Sequence, residues 1–162
     1  MRYKIVPEPR SVEFLRDVQA ALPLVPGTVE DCCSRIRDRT GLPSRDVARE
    51  YLTFAQALGF AAEGDRGFHR TREDPSEDEL AQRFLEHVFG AREVVESVDE
   101  GPKSTEEAFD EIRDLVPRWE RDRHTNWEAE WLDRTERLLE WAVEFGLVER
   151  SEEGYRQSTT AL

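Results

Sequence analysis

A short segment of this chain occurs twice, and that repeat limits the possible folds more than any other feature. Leu52-Thr53-Phe54-Ala55-Gln56-Ala57-Leu58-Gly59-Phe60-Ala61 lies over Leu139-Glu140-Trp141-Ala142-Val143-Glu144-Phe145-Gly146-Leu147-Val148 without a gap, at an offset of 87 residues. At the same offset Gly67-Phe68 falls opposite Gly154-Tyr155. Each copy reads as a helix closed by Gly, a short apolar strand, a polar turn with Gly, and an aromatic residue opening a second strand. The Gly after each helix fits a left-handed C-cap. The turns Glu63-Gly64-Asp65-Arg66-Gly67 and Arg150-Ser151-Glu152-Glu153-Gly154 fit hairpins. Two copies in 162 residues predict a duplicated unit and exclude a long solenoid.

The helices preceding each hairpin follow from apolar spacing and caps. In the first half a helix is expected from Ser11 to about Leu22, with Val12, Leu15, Val18 and Leu22 at helical spacing and Pro23 ending it. Thr28-Val29-Glu30-Asp31 starts a second helix to about Arg39. Thr40-Gly41-Leu42-Pro43 is a tight turn, and Ser44 caps a third helix to about Leu58. Val47, Tyr51, Phe54 and Leu58 form its apolar face, Arg45, Arg49 and Gln56 lie opposite, and Leu52 fits neither side. In the second half Ser76-Glu77-Asp78-Glu79 opens a helix to about Phe89. Ser104-Thr105-Glu106-Glu107 opens another through about Trp119, which Pro117 bends or ends. Asn126 caps a third to Phe145, and residues 90–103 are expected as a loop or a short extra helix. The seam is expected at Arg72-Glu73-Asp74-Pro75-Ser76, giving domains 1–74 and 75–162.

Charge separates the two halves. Residues 1–74 carry 12 acidic and 12 basic residues, whereas 75–162 carry 24 acidic and 11 basic, so the whole excess of −13 lies in the second half. Such asymmetry suggests modules with different partners. Only Lys4 and Lys103 are lysines, against 21 arginines. This acidic, Lys-poor composition resembles that of proteins from organisms that keep molar salt in the cytoplasm, where a Debye length of ~3 Å screens self-repulsion. No stretch approaches the ~20 apolar residues of a bilayer span, so no membrane partner is expected, and the first residues lack a secretory apolar run. The adjacent Cys32 and Cys33 make neither a disulfide framework nor a zinc spacing, and suit a reducing, cytoplasmic setting.

The order helix, helix, tight turn, helix, two-stranded hairpin resembles the winged-helix superfamily. The residues that carry the resemblance are Thr40-Gly41-Leu42-Pro43-Ser44-Arg45-Asp46-Val47-Ala48-Arg49-Glu50-Tyr51-Leu52, then Leu58-Gly59-Phe60-Ala61 and the Gly67-Phe68 hairpin. It covers roughly 11–72 well, within the few-residue uncertainty of element ends, and the second half less well, because the segment between helices is longer there. The fold it implies is mainly α with small β-hairpin wings, as two winged-helix domains in tandem. Winged helices bind DNA, bind RNA, dimerise or serve as scaffold contacts, so the resemblance specifies a fold better than an activity.

By that resemblance the third helix is a recognition helix, which reads base edges with residues near its N-terminus. Here those are Ser44, Arg45 and Arg49, and an Arg grips guanine O6 and N7 with two hydrogen bonds. The wing supplies Arg66, His69, Arg70 and Arg72 for phosphates or the minor groove, and the second helix adds Arg35, Arg37 and Arg39. Residues 35–49 hold five arginines against Asp38 and Asp46, a net +3 in an acidic protein. The competing reading is a solvated helix face whose arginines pair with Asp38, Asp46 and Glu50.

The second half argues against a second DNA reader. Its third helix carries Glu128, Glu130, Asp133, Glu136, Glu140 and Glu144 against Arg134 and Arg137, which repels phosphate. Trp131 and Trp141 are expected in the core, and Trp119 or Trp127 is the candidate interface with a partner or a second copy. His69, His87 and His124 are scattered, so no metal site is expected. Cys32 and Cys33 are read either as a redox sensor or as small buried residues, one of the two facing inward. No phosphate loop or nucleophile elbow is present; neither enzyme activity nor a cofactor is expected.

Two functions remain. One is a transcriptional regulator binding double-stranded DNA through Arg45, Arg49 and the wing, as a dimer on a two-fold site. The other is a tandem winged-helix subunit of a larger assembly, similar to those that bind chromosome-condensing complexes, with no direct DNA reading.

Overall fold

A computed structural model describes residues 3–158 apart from residue 124, and it divides into two compact units, Met1–Val88 and Phe89–Leu162. The first unit runs α1 (Val12–Ala21), α2 (Val29–Thr40), α3 (Arg45–Ala57), β1 (Ala61–Gly64), β2 (Gly67–Arg70) and α4 (Glu77–His87). Ser11, Thr28 and Ser44 each accept a hydrogen bond from the backbone N–H three residues on, so the caps read at Thr28 and Ser44 are present and Ser11, read as the start of a helix, caps α1. Leu15, Val18 and Leu22, Ile36, and Tyr51, Leu52, Phe54 and Leu58 build the core between the helices. Each such side chain contributes roughly 1.5–3 kcal/mol on leaving water. Leu52, which fitted neither face of α3, is buried, because α3 also covers α1 and β1 and so needs a wider apolar side. Val47, expected on that side, is only half-buried.

Both cysteines are buried, whereas only one was expected to face inward. The α2 helix is enclosed by α1, α3 and β2, and Cys32 Sγ lies 3.8 Å from the Phe68 carbonyl oxygen. Burial pushes both thiols above their ordinary pKa, which suppresses the reactive thiolate.

The β1–β2 hairpin pairs Ala61 with Arg70 and Gly64 with Gly67. Gly27 adds a third element to the wing by exchanging hydrogen bonds of 2.8 and 2.9 Å with Phe68. Gly67 sits at φ 122°, and a Cβ there would lie 2.2 Å from the Gly27 oxygen, so this close approach requires glycine.

The expected seam at Arg72–Ser76 precedes α4, which packs within the first unit. Phe84 is buried with its ring centroid 6.5 Å from that of Phe54. Arg83 donates to the Leu58 carbonyl at 3.0 Å and to Glu73, and Tyr3 N–H donates to the His87 carbonyl at 2.6 Å. The Pro and charge cluster that read as a linker is thus tied back onto α1, where Arg16 donates to Asp74 and, at 3.0 Å, to the Pro75 carbonyl, and Gln19 donates to the Glu73 carbonyl at 2.9 Å.

The second unit runs α5 (Ala91–Ser97), α6 (Thr105–Ile112), a 3-10 turn (Arg113–Leu115), α7 (Arg118–Arg123), α8 (Trp127–Glu144), β3 (Val148–Ser151) and β4 (Gly154–Gln157). Several backbone hydrogen bonds of the first unit recur in it. Phe60 N–H donates to the Ala55 carbonyl and Leu147 N–H to that of Ala142, both at 2.9 Å. Lys103 and Tyr155 exchange hydrogen bonds as Gly27 and Phe68 do. Thr28 and Ser104 cap equivalent helices, with Cys32, Cys33 and Ile36 replaced by Ala108, Phe109 and Ile112 in the core. The offset is therefore 76 through α6 and 87 from α8 onward, an insertion of 11 residues that holds the 3-10 turn and α7.

This register corrects the placement of the first helix of the second copy. That helix is α5, within the stretch read as a loop or short extra helix, and the helix opened by Ser76 lies outside both copies. The helix begun at Ser104 ends at Ile112, short of the expected Trp119; the 3-10 turn follows it, and Pro117 lies just before α7. Asn126 occupies the position before α8, but its side chain makes no capping bond at φ −102°, ψ 21°. Trp131 and Trp141 are buried, as expected of a core pair.

Candidate nucleic-acid interface

In α3, burial leaves a narrow outer strip. Ala48, Tyr51, Leu52 and Ala55 face inward, while Arg45, Asp46, Arg49 and Glu50, one turn apart, remain wholly or partly exposed near its N-terminus. Ser44 is the cap: its Oγ accepts from Val47 N–H at 3.2 Å.

Arg45 is held by a residue outside its helix. Its Nε donates to both carboxylate oxygens of Glu30, at 2.6 and 2.8 Å, and Nη2 pairs with Oε1. Nη1 reaches Asp46 Oδ1 only loosely, at 3.4 Å. The hydrogen bond from Arg45, with the charges of Arg45 and Arg49, holds the Glu30 carboxyl below its ordinary pKa. Arg49 is exposed and makes no ion pair among the described residues. Glu30 is the member of this cluster that the sequence reading missed. It lies 15 residues before Arg45 and reads as a helix-start acid, so nothing local marks the contact.

The α2 arginines do not join this strip as one surface. Arg35 pairs with Asp31 at 2.9 Å, Arg39 reaches back to Asp17 of α1 at 3.6 Å, and Arg37 donates to the Pro43 carbonyl at 3.5 Å. Arg35 and Arg39, four apart, share one face of the helix, and Arg37, about 200° from each, lies on the opposite one.

Among the wing cations, Arg66 stands exposed at the turn and Arg72 exposed just beyond β2. Arg70 shares its face of β2 with the buried Phe68, since side chains alternate along a strand. It is half-buried, and its Nε is enclosed without an acceptor among the described residues. His69, on the other face, is also half-buried.

The second unit has the same scaffold with opposite chemistry. At the offset of 87, Arg45 corresponds to Leu132, Arg49 to Glu136 and Arg66 to Glu153. The first unit holds 16 acidic and 13 basic residues, and the second 20 and 10. The wing of the second unit is braced by Glu140, which accepts from Arg150 Nε at 2.9 Å and from the Tyr155 hydroxyl.

The interface candidates Trp119 and Trp127 differ in setting. Trp119, on the inserted α7, is 52% exposed. Trp127 opens α8, half-buried, with the Arg121 and Arg113 guanidinium groups 4.8 and 5.5 Å from its ring and the Phe109 ring 6.4 Å away. Of the scattered histidines, His124 lies outside the described residues. Among the described residues, no helix is long and apolar enough to cross a membrane.

No curated protein and no solved structure matches the chain. A family model described as the halobacterial double winged helix domain matches residues 1–161. Two units with the same helix order, the same Gly-closed third helix and the same three-part wing are what that description requires, and the chain belongs to the halobacterial double winged helix domain family.

Proposed function

We propose that the protein binds double-stranded DNA through its first unit and acts as a transcriptional regulator in a cytoplasm of molar salt. The observation that carries this reading is the exposed strip of α3, where Arg45 and Arg49 stand at positions that the second unit fills with Leu132 and Glu136. On a scaffold that keeps its core, Arg49 and Arg66 give way to the carboxylates Glu136 and Glu153, which supports different partners for the two copies. Arg45 and Arg49 would read base edges in the major groove, with Arg66 and Arg72 on flanking phosphates. Counterion release contributes little at molar salt, so base contacts must dominate. Full-length protein should enrich specific duplexes in molar KCl, and Arg45→Glu/Arg49→Glu should abolish that enrichment with an unchanged unfolding midpoint. Equal enrichment by the variant would end this reading.

A second reading rests on Trp119, whose exposure on an inserted helix suits a protein partner or a second copy. In that reading the chain is a subunit of a larger assembly. Sedimentation and pull-down in molar salt should then show a complex that Trp119→Ala weakens; a monomer recovered alone would exclude it.

A further inference from the structure

The pairing of Glu30 with Arg45 does more than neutralise a charge, because of which edge of the guanidinium it occupies. Glu30 takes Nε and Nη2, the side edge. An arginine has five N–H donors in a planar fork, and the end edge, formed by Nη1 and Nη2, is left over. That edge has the spacing that grips guanine O6 and N7. Nη1 on that edge also donates to Asp46, but at 3.4 Å, longer than the two bonds from Nε to Glu30, so it is the weaker hold and the one a base would displace.

We propose that Glu30 is a positioning residue for base recognition, holding the plane of Arg45 so that its end edge, touched only by the long contact to Asp46, reads a guanine. The inference rests on the reading of α3 as the DNA-binding helix. An unheld arginine samples many rotamers and serves a phosphate as well as a base; one fixed along its side edge offers a single bidentate orientation. The arrangement suits molar salt, where the Debye length is ~3 Å and only contact pairs keep their attraction. The second unit supplies an internal contrast. Glu106 corresponds to Glu30 at the offset of 76, but Leu132 stands where Arg45 would be, so the carboxylate there has nothing to orient.

The test is selection of randomised duplexes by the full chain in molar KCl, comparing wild type with Glu30→Gln, Arg45→Ala and the double variant. Both residues lie at the surface, and unfolding midpoints check that the variants fold. Wild type should prefer guanine at one position by roughly 10- to 100-fold, the worth of one bidentate contact. Arg45→Ala should erase that preference. Glu30→Gln should cut it to about threefold or less at that position alone, preferences elsewhere being kept, and the double variant should match Arg45→Ala. A guanine preference unchanged in Glu30→Gln but lost in Arg45→Ala would overturn the role of Glu30 alone. A wild-type chain that enriches no duplex would overturn both this inference and the DNA-binding reading beneath it.

Discussion

At the scale of single residues, the wing depends on two glycines that let a third backbone segment approach. Gly67 at φ 122° and Gly154 at φ 127° would each place a Cβ within 2.4 Å of a carbonyl oxygen, of Gly27 and of Lys103 respectively. Gly41 also has positive φ, 76°, but nothing lies within 4 Å of its Cβ position. Gly41→Ala should therefore cost about 1–2 kcal/mol, the penalty of the left-handed conformation alone. Gly67→Ala should cost clearly more, because the clash forces Gly27 off β2; equilibrium urea unfolding of the two variants measures the difference. A second residue-scale prediction concerns Glu140. The hydrogen bond from Arg150, with that from Tyr155, lowers its pKa below the ordinary 4.5. The brace is then fully present above the unfolded carboxyl's pKa and is lost as the pH falls through the lower folded value. Wild type should be more stable than Glu140→Gln at neutral pH, and the two should converge in acid. Parallel stability curves across that window would contradict the assignment.

At the scale of elements, capping separates helices that start on their own from those held by packing. Ser76 and Ser104 form complete capping boxes with Glu79 and Glu107, whereas the Asn126 side chain makes no capping bond. Ser104→Ala should cost about 1 kcal/mol, and Asn126→Ala no more than a few tenths, read as shifts in unfolding midpoint. The α8 helix starts without a cap because its 18 residues bury Trp131, Leu138, Leu139 and Trp141. Caps and the Gly-closed helices were legible because each is a local signal of three or four residues. The helix order of the second copy was not. Equivalent positions share volume and not identity, as with Cys33 and Phe109 or Leu15 and Ala91, and the 11-residue insertion breaks the register where no identity spans it. Only the hairpin half repeats in letters, since Gly has no substitute at its turns. The contact of Glu30 with Arg45 was illegible for a related reason: it depends on the crossing of α2 and α3, which no local spacing encodes.

At the scale of the whole molecule, duplication followed by divergence of the outer surface is the organising fact. One winged-helix plan is built twice: Arg49 and Arg66 of the first unit give way to Glu136 and Glu153 in the second, and Arg45 to Leu132. The net charges of the units, −3 and −10, make the second a poor neighbour for phosphate and leave the first as the candidate reader. Crosslinking and sequencing of DNA bound in native cells tests this division of labour most directly, comparing wild type with Arg45→Glu/Arg49→Glu in the first unit and Glu136→Gln/Glu153→Gln in the second. Discrete sites should vanish in the first variant and persist in the second. The same even background in wild type and in both variants, or sites lost only when the second unit is altered, would contradict it.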